Sequence, residues 1–242
     1  MRIQFDAAFN SSYLCQPIYS RGGELLAVEL ICRFVNTDSK LVMPTELVLN
    51  LLSSQQRYTF LQEQIAWATQ QAAWFESNKV SLNITIEDKL ANLVIEYPEL
   101  KEALKALPFV NVNVSESFPE FSLGRKNKRL TEINQSFSLW LEGFGSGNGN
   151  MAPIFDGMFS WVKLDKNFFW RLYAGENFAV ILPSLLRNVH RFCRNVVIDG
   201  LDTAEYLSAV YDTDIQGVKG LLWPGVEPAL LDSLLARPPE FH

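Results

Sequence analysis

The chain has 242 residues, of which 48% are hydrophobic and 20% are charged, and its net charge at pH 7 is -6. This composition is typical of a folded globular protein and excludes a disordered chain. Binding to a nucleic-acid backbone or to an anionic membrane needs clustered Lys and Arg. The negative charge therefore argues against direct binding of nucleic acid and against a membrane as partner.

The cysteine pattern points to a reducing compartment, and the apolar stretches argue against a signal peptide and a membrane span. Cys15, Cys32 and Cys193 are widely spaced and form no C-x-x-C pair, which argues against a disulfide framework and a zinc site. The N-terminus MRIQFDAAFN lacks the apolar core of a signal peptide, and the stretch FAVILPSLL is too short to span a membrane. We therefore expect a cytoplasmic protein.

In chain order, the first elements are two apolar strands joined by a turn. SYLCQPIYS and ELLAVELICRF are separated by RGG, which predicts an antiparallel pair. A long helical pattern follows from Pro44 to Phe75. Strand-like segments then alternate with helical ones such as TAEYLSAVY, and a last helix is predicted near EPALLDSLLA. The later strand-like segments are VSLNIT, FVNVNVS, SLWLEGF, WVKLD, NVVIDGL and GVKGLLW.

The alternation of strands and helices predicts an α/β fold. Eight strands with interleaved helices and no Pro/Gly/Ser-rich linker favour one domain over residues 1–242 with the architecture of a (β/α)8 barrel. A doubly wound open sheet is the alternative. In both architectures the functional residues lie at the carboxyl ends of the strands.

Polar residues recur at these strand ends. Burying a carboxylate or an amide is costly unless another group pairs with it, so we expect these side chains to form one site. The residues are Gln16, Glu29, Arg33, Asn83, Asn113, Glu116, Glu142, Lys163, Asp165, Asp199, Asp202 and Lys219.

The order of the motifs resembles that of the EAL domain family, the phosphodiesterases of cyclic di-GMP. The resemblance runs roughly from Tyr13 to Pro224 and rests on QPIY, AVELICRF, SLNIT, VNVSES, EGFGSGNG, VKLDKNFF and IDGLDT. It implies a modified, TIM-like (β/α)8 barrel with one antiparallel strand. It also implies that active members use two divalent cations, usually Mg or Mn, to activate water and to neutralise the phosphate.

Some family positions are preserved according to this resemblance. Glu29, in ELI, corresponds to the metal-ligand glutamate of the Glu-Ala-Leu signature, and Arg33 corresponds to the arginine that contacts a ligand phosphate. Asn83 matches the ligand asparagine of the family. Lys163, in VKLD, matches the lysine that orients the attacking water.

Other family positions have changed. Asn113 stands where the family has a metal-binding glutamate, so this motif keeps only its second acid, Glu116. Glu142 and Gly143 replace a pair of aspartates, of which the second bridges the two ions, and glycine has no side chain to do so.

The last two positions complete the loss of ligands. Asp199 stands where a glutamate is usual, and Lys219 replaces the glutamine of a late Gln-Gly-Tyr motif, although IQG at Gln216 offers an alternative register. Mg needs near-octahedral oxygen coordination, which this depleted set of ligands does not supply. We therefore expect a vestigial site that has no catalytic residues and binds no metal or cofactor.

The sequences of four segments are similar to those of degenerate EAL-like regulators from enterobacteria. These segments are MPTELV, PIFDGMF, LDKNF and GLLWP. This resemblance implies a protein that binds the FlhD subunit of the flagellar master activator FlhDC, blocks its DNA binding and represses motility. A non-catalytic cyclic di-GMP receptor, with contacts from Gln16, Arg33 and Lys163, is the alternative. An active phosphodiesterase is a third hypothesis, and it would need both metal ions.

Overall fold

The structure, a computed structural model, describes residues 2–4, 8–36, 42–43, 45–147 and 151–241. Three segments named above extend outside the described residues: residues 1 and 5–7 of the N-terminal MRIQFDAAFN, Pro44 in MPTELV, and the end of the glycine-rich loop, 148–150.

The described part of the chain contains ten strands, which hydrogen-bond into one sheet. They are β1 Arg2–Gln4, β2 Ala8–Ser20, β3 Leu25–Asn36, β4 Val42–Met43, β5 Ser81–Thr85, β6 Val110–Ser115, β7 Leu139–Phe144, β8 Trp161–Leu164, β9 Asn195–Ile198 and β10 Gly217–Val218.

Eight of these described strands close into a barrel. β3 pairs with β5 in parallel, and parallel pairing continues in order from β5 to β10. β2 is antiparallel to both β3 and β10, and its pairing with β10 closes the ring. The predicted barrel with one antiparallel strand is therefore confirmed, and the open doubly wound sheet is wrong. The short strand β1 pairs with β2 and the short strand β4 pairs with β3, and neither belongs to the ring.

The α-helices lie mostly in the connections between the parallel strands. They are α1 Thr45–Leu51, α2 Ser54–Gln70, α3 Ala72–Asn78, α4 Asp88–Glu96, α5 Pro98–Lys105, α6 Lys128–Ser136, α7 Ala152–Phe155, α8 Lys166–Tyr173, α9 Phe178–His190 and α10 Ala204–Val210. Short 3-10 helices cover Phe121–Lys126, Pro228–Leu235 and Pro239–Phe241.

Three element boundaries differ from the sequence predictions. The helical pattern from Pro44 to Phe75 contains α1, α2 and α3, because Ser53 and Gln56 form a capping box that starts a new helix. The predicted terminal helix is a 3-10 helix, in which Leu230 departs from helical dihedral angles. The predicted strand GVKGLLW pairs only at Gly217 and Val218 before the chain turns.

The interior of the barrel has an apolar layer beneath a polar one. Trp140 and Trp161 stack with ring centroids 4.5 Å apart, and they pack with Ile18, Ala27 and Val197 inside the barrel. Alternate residues of a strand face the same side, so the residue two positions later also faces inward. These inward pairs are Ala27 and Glu29, Trp140 and Glu142, Trp161 and Lys163, Val197 and Asp199, and Gly217 and Lys219.

The C-terminal segment packs against the antiparallel strand β2. Val226 forms an antiparallel bridge with Cys15, and Trp223 stacks on Phe241 with centroids 4.8 Å apart. Tyr19 packs edge-on against Trp223. The C-terminal segment therefore covers part of β2.

The three cysteines are free and buried. Across the described ranges, no helix combines the length and the apolar composition that crossing a bilayer requires.

The turn after β10 predicts a stability difference between two glycines. A Cβ on Gly220 would lie 2.1 Å from the backbone oxygen of Leu201, whereas a Cβ on Gly22 would meet nothing nearer than 3.5 Å. We expect Gly220→Ala to lower the free energy of unfolding by about 2–3 kcal/mol because backbone must move. Gly22→Ala is the matched control and should change it by less than about 0.5 kcal/mol. Equal effects in urea titrations would contradict this account of the turn.

Candidate functional site

A cavity of about 810 Å³ opens at the carboxyl end of the barrel. A recess of about 320 Å³ adjoins it, and the two share Glu142, Gly143 and Lys219 as lining residues. Glu29 lines the larger space and Asp199 lines the smaller one. Eight of the twelve strand-end residues that the sequence selected therefore line one opening, and the other four, Arg33, Asn83, Asn113 and Glu116, are not among its lining residues.

Glu29 lies at the centre of this site and contacts two lysines. It is 4% exposed, and its two carboxylate oxygens have different partners. Lys163 Nζ donates to Oε1, and Lys219 Nζ lies 2.7 Å from Oε2. Asn113 Nδ2 also donates to Oε1, at 3.2 Å. Both oxygens of this carboxylate are therefore occupied by donors from the protein itself.

Each lysine also contacts a second carboxylate. Lys163 Nζ lies 3.3 Å from Glu142 Oε1, and Lys219 Nζ lies 2.9 Å from Asp199 Oδ2. The charges alternate along the order Glu142, Lys163, Glu29, Lys219 and Asp199, which we call the ion network. Three carboxylates and two ammonium groups leave it with one net negative charge.

Mutual attraction keeps the buried members of the ion network charged. Burial raises the pKa of Glu29, but the charges and hydrogen bonds of Lys163 and Lys219 outweigh burial and lower that pKa to about 2. Burial acts to lower the pKa of Lys219, but Glu29, Asp199 and Glu142 outweigh it and raise that pKa. A buried ion without a partner is strongly destabilising. The network is therefore a unit, in which each member needs its neighbours.

Asparagines cover the side of the site formed by β5 and β6. Asn111 Nδ2 donates to Asn83 Oδ1 at 3.2 Å. Asn83 Nδ2 and Asn113 Oδ1 are buried and have no hydrogen-bond partner within the described structure. One donor and one acceptor thus remain unsatisfied beside the ion network, although buried polar atoms are usually paired.

Glu116 anchors the glycine-rich loop that follows β7. It is buried and accepts hydrogen bonds from Gly145 N at 3.3 Å and Ser146 Oγ at 3.4 Å. Burial raises the pKa of Glu116, and these hydrogen bonds oppose the rise. Its carboxylate therefore orders the loop that follows β7.

Gly143 and Gly145 both have positive φ angles, but their surroundings differ. Gly145 has φ +90°, and a Cβ there would lie 2.4 Å from the ring of Phe168. Gly143 has φ +70°, yet its nearest neighbour would be Ser146 Oγ at 3.7 Å. Backbone conformation and packing both require glycine at 145, whereas only backbone conformation favours it at 143.

The other predicted residues lie outside the ion network, although Gln16, Asp165 and Asp202 line the recess. Arg33 is exposed, and Gln16 Nε2 donates to the carbonyl oxygen of Trp223 at 2.8 Å. Asp165 caps α8, and Asp202 accepts a hydrogen bond from Leu221 N. Gln216, the alternative to Lys219, accepts from Val196 N near the amino ends of β9 and β10. Lys219, not Gln216, therefore reaches the ion network.

The sequence analysis missed Thr85 and Asn111. Thr85 Oγ1 donates to Glu142 Oε2 at 3.3 Å, and Asn111 contacts Asn83 as described above. Thr85 is two residues after Asn83, and Asn111 is two residues before Asn113. The two-residue period of a strand was the signal that could have identified both.

The residues present do not fit a pair of divalent cations. Such a pair needs oxygen ligands around both ions and a bridging carboxylate. Here Glu29 already contacts two ammonium groups, and Gly143 offers no ligand atom. Among the described residues, no three His, Cys, Asp or Glu side chains are arranged so that they could hold a metal ion.

Comparisons with known proteins agree on one family. The model of the family described as EAL domain matches residues 8–224. The proteins named anti-FlhC(2)FlhD(4) factor YdiV from Salmonella typhimurium LT2 and Salmonella paratyphi B are each 27% identical over 237 residues. These matches cover 98% of this chain and 100% of each relative. The crystal structure of the EAL-like domain protein YdiV superposes with a TM-score of 0.88 at 27% identity, covering 95% of this chain and 97% of that one.

The ion network predicts a cost for Glu29→Gln that depends on pH. Near pH 7 the substitution leaves two buried ammonium groups short of a partner, so we expect it to lower the free energy of unfolding by about 3–5 kcal/mol. Because folding lowers the pKa of Glu29, its stabilisation is complete above about pH 4.5 and is lost as the pH falls toward about 2. The difference between the two proteins should therefore shrink in acid.

Urea titrations at stepwise pH check this prediction. The control is Glu102→Gln, because Glu102 pairs with Lys105 at the surface and its side chain is 65% exposed. Its effect should stay below about 0.5 kcal/mol. A cost for Glu29→Gln that is small at pH 7, or that does not diminish in acid, would contradict the ion network.

Proposed function

Because the chain belongs to the EAL domain family, as the order of its motifs predicted, we propose that it is a non-catalytic member that binds FlhD. In this proposal it blocks the DNA binding of the FlhDC activator and represses flagellar genes and motility. It acts in the cytoplasm, where the activator meets DNA.

One observation carries the non-catalytic part of the proposal: Glu29 is paired with Lys163 and Lys219. In active members of the family this glutamate is expected to hold a metal ion. Here Lys219 Nζ lies 2.7 Å from Glu29 Oε2 and 2.9 Å from Asp199 Oδ2. Two-metal hydrolysis needs two ions about 3.5–4 Å apart. The substitutions Asn113 and Gly143 remove further ligands expected for that pair.

The similarity to the YdiV proteins supports FlhD as the partner. Their printed names describe factors directed against FlhC(2)FlhD(4), and the matches span 98% of this chain. A likeness over essentially the whole length of both chains, with a TM-score of 0.88 to the solved YdiV structure, supports a shared mode of action.

The second candidate function is that of a cyclic di-GMP receptor. The cavity of about 810 Å³, the exposed Arg33 and the unsatisfied atoms of Asn83 and Asn113 favour it. The charge of the cavity disfavours it, because five carboxylates but only two lysines line the space. A ligand with two phosphates would meet a surplus of negative charge there.

Calorimetric titration with purified FlhD tests the partner. We expect saturable heat, and we expect the protein to abolish the FlhDC–DNA complex in a gel-shift assay at matched concentrations. The control is cyclic di-GMP titrated with and without Mg, which should give no heat. Absence of FlhD binding would refute the partner, and Mg- or Mn-dependent hydrolysis of cyclic di-GMP would refute the non-catalytic assignment.

The variant Arg33→Ala separates the receptor from the regulator. If cyclic di-GMP binds through its phosphates, loss of this guanidinium should weaken binding by roughly tenfold, as expected for a charge-assisted contact. Such a loss would favour the receptor. The proposed regulator predicts no measurable affinity for the nucleotide with either protein.

A further inference from the structure

We propose that the ammonium group of Lys219 is a tethered cation that takes the place of a metal ion between Glu29 and Asp199. The chain thereby closes its own site to divalent cations. This inference rests on the non-catalytic assignment proposed above, and it names the residue that enforces it.

The contacts of Lys219 are those of a bound cation. Its Nζ lies 2.7 Å from Glu29 Oε2 and 2.9 Å from Asp199 Oδ2, and the charge of Glu142 acts on it as well. The side chain is only 12% exposed. A long lysine side chain on a protein surface is usually solvated, whereas this one ends among carboxylates inside the barrel mouth.

The backbone holds Lys219 from both sides. Its N–H donates to Ile198 O at 2.9 Å, and its carbonyl oxygen accepts from Leu201 N at 3.0 Å. The next residue, Gly220, packs so closely on Leu201 that no Cβ fits there. The end of β10 and the turn after it therefore fix the position of the ammonium group.

The occupied oxygens explain why a divalent cation is excluded. Mg and Mn bind several oxygen ligands at once, and a nearby ammonium group repels them. Lys163 and Asn113 engage Glu29 Oε1, while Lys219 engages both Glu29 Oε2 and Asp199 Oδ2. Removing the charge of Lys219 frees two carboxylate oxygens that already face one position.

The experiment compares Mn²⁺ binding by the unsubstituted protein and by Lys219→Met, followed by the electron paramagnetic resonance signal of free Mn²⁺. Methionine keeps an unbranched side chain that is one atom shorter, and it adds neither charge nor oxygen ligand. We expect Lys219→Met to bind Mn²⁺ at least tenfold more tightly. Adding Glu29→Gln to this variant should abolish the gain, since it removes a proposed ligand.

Lys166→Met is the matched control. Lys166 borders the same recess, but its ammonium group lies over the ring of Trp170, 5.7 Å from the centroid, and outside the ion network. This control removes the same charge from the barrel mouth and should leave Mn²⁺ affinity unchanged. An equal gain in both variants, or no gain in Lys219→Met, would overturn the proposal.

A measurement on the unsubstituted protein covers the case in which Lys219→Met does not fold. Under brief treatment with an amine-reactive reagent, Lys166 should be labelled and Lys219 should be protected, as read by peptide mass spectrometry. Rapid labelling of Lys219 would overturn the proposal. FlhD titrations on the same samples are an independent readout, so a failure of the tethered cation and a failure of the proposed partner are distinguishable.

Discussion

The carboxylate of Glu29, shared between Lys163 and Lys219, is the interaction on which the mouth of the barrel depends. It joins β3 to β8 and to the end of β10, and each lysine extends the contact to another strand. None of these side chains could be buried alone without a large desolvation cost. The closed sheet is what brings them to one place, because their strands are far apart in sequence.

The apolar layer below the ion network strengthens it. The stacked rings of Trp140 and Trp161 fill the barrel interior beneath the charged residues. Charges attract one another more strongly where water is excluded, so the same packing that stabilises the barrel also holds the network in a single arrangement. Packing and electrostatics therefore act on the same strands, one layer apart.

Much of this arrangement could be predicted from the sequence, for physical reasons that particular residues illustrate. Val197 and Asp199, like Trp140 and Glu142, follow the two-residue period of a strand that passes from the core to the mouth. Apolar runs of strand length identified the strands, and the polar residue at the end of each strand identified the side of the barrel where the site lies. The motif order supplied the family and its antiparallel strand.

Other features depend on contacts that a linear pattern does not contain. Glu116 and Asp165 are strand-end acids like the others, yet one binds the glycine-rich loop and the other caps a helix. Their roles follow from the three-dimensional path of the loops. The sequence indicated that Lys219 adds positive charge, but only the closed barrel brings its ammonium group between two carboxylates. The segment Pro228–Leu235 was predicted as an α-helix from its apolar pattern, which does not distinguish it from a 3-10 turn packed on a strand.

The pairing of β2 with β10 has a consequence for how the protein is made. Ser20 lies opposite Gly217, so the ring closes only when β2 meets β10, the last of the barrel strands along the chain. A nascent chain that stops before Gly217 has open sheet edges, and its Glu29 lacks the second ammonium group. Synthesis must therefore pass Lys219 before the fold and its charge balance exist together, and a product truncated before that point is exposed to aggregation and proteolysis.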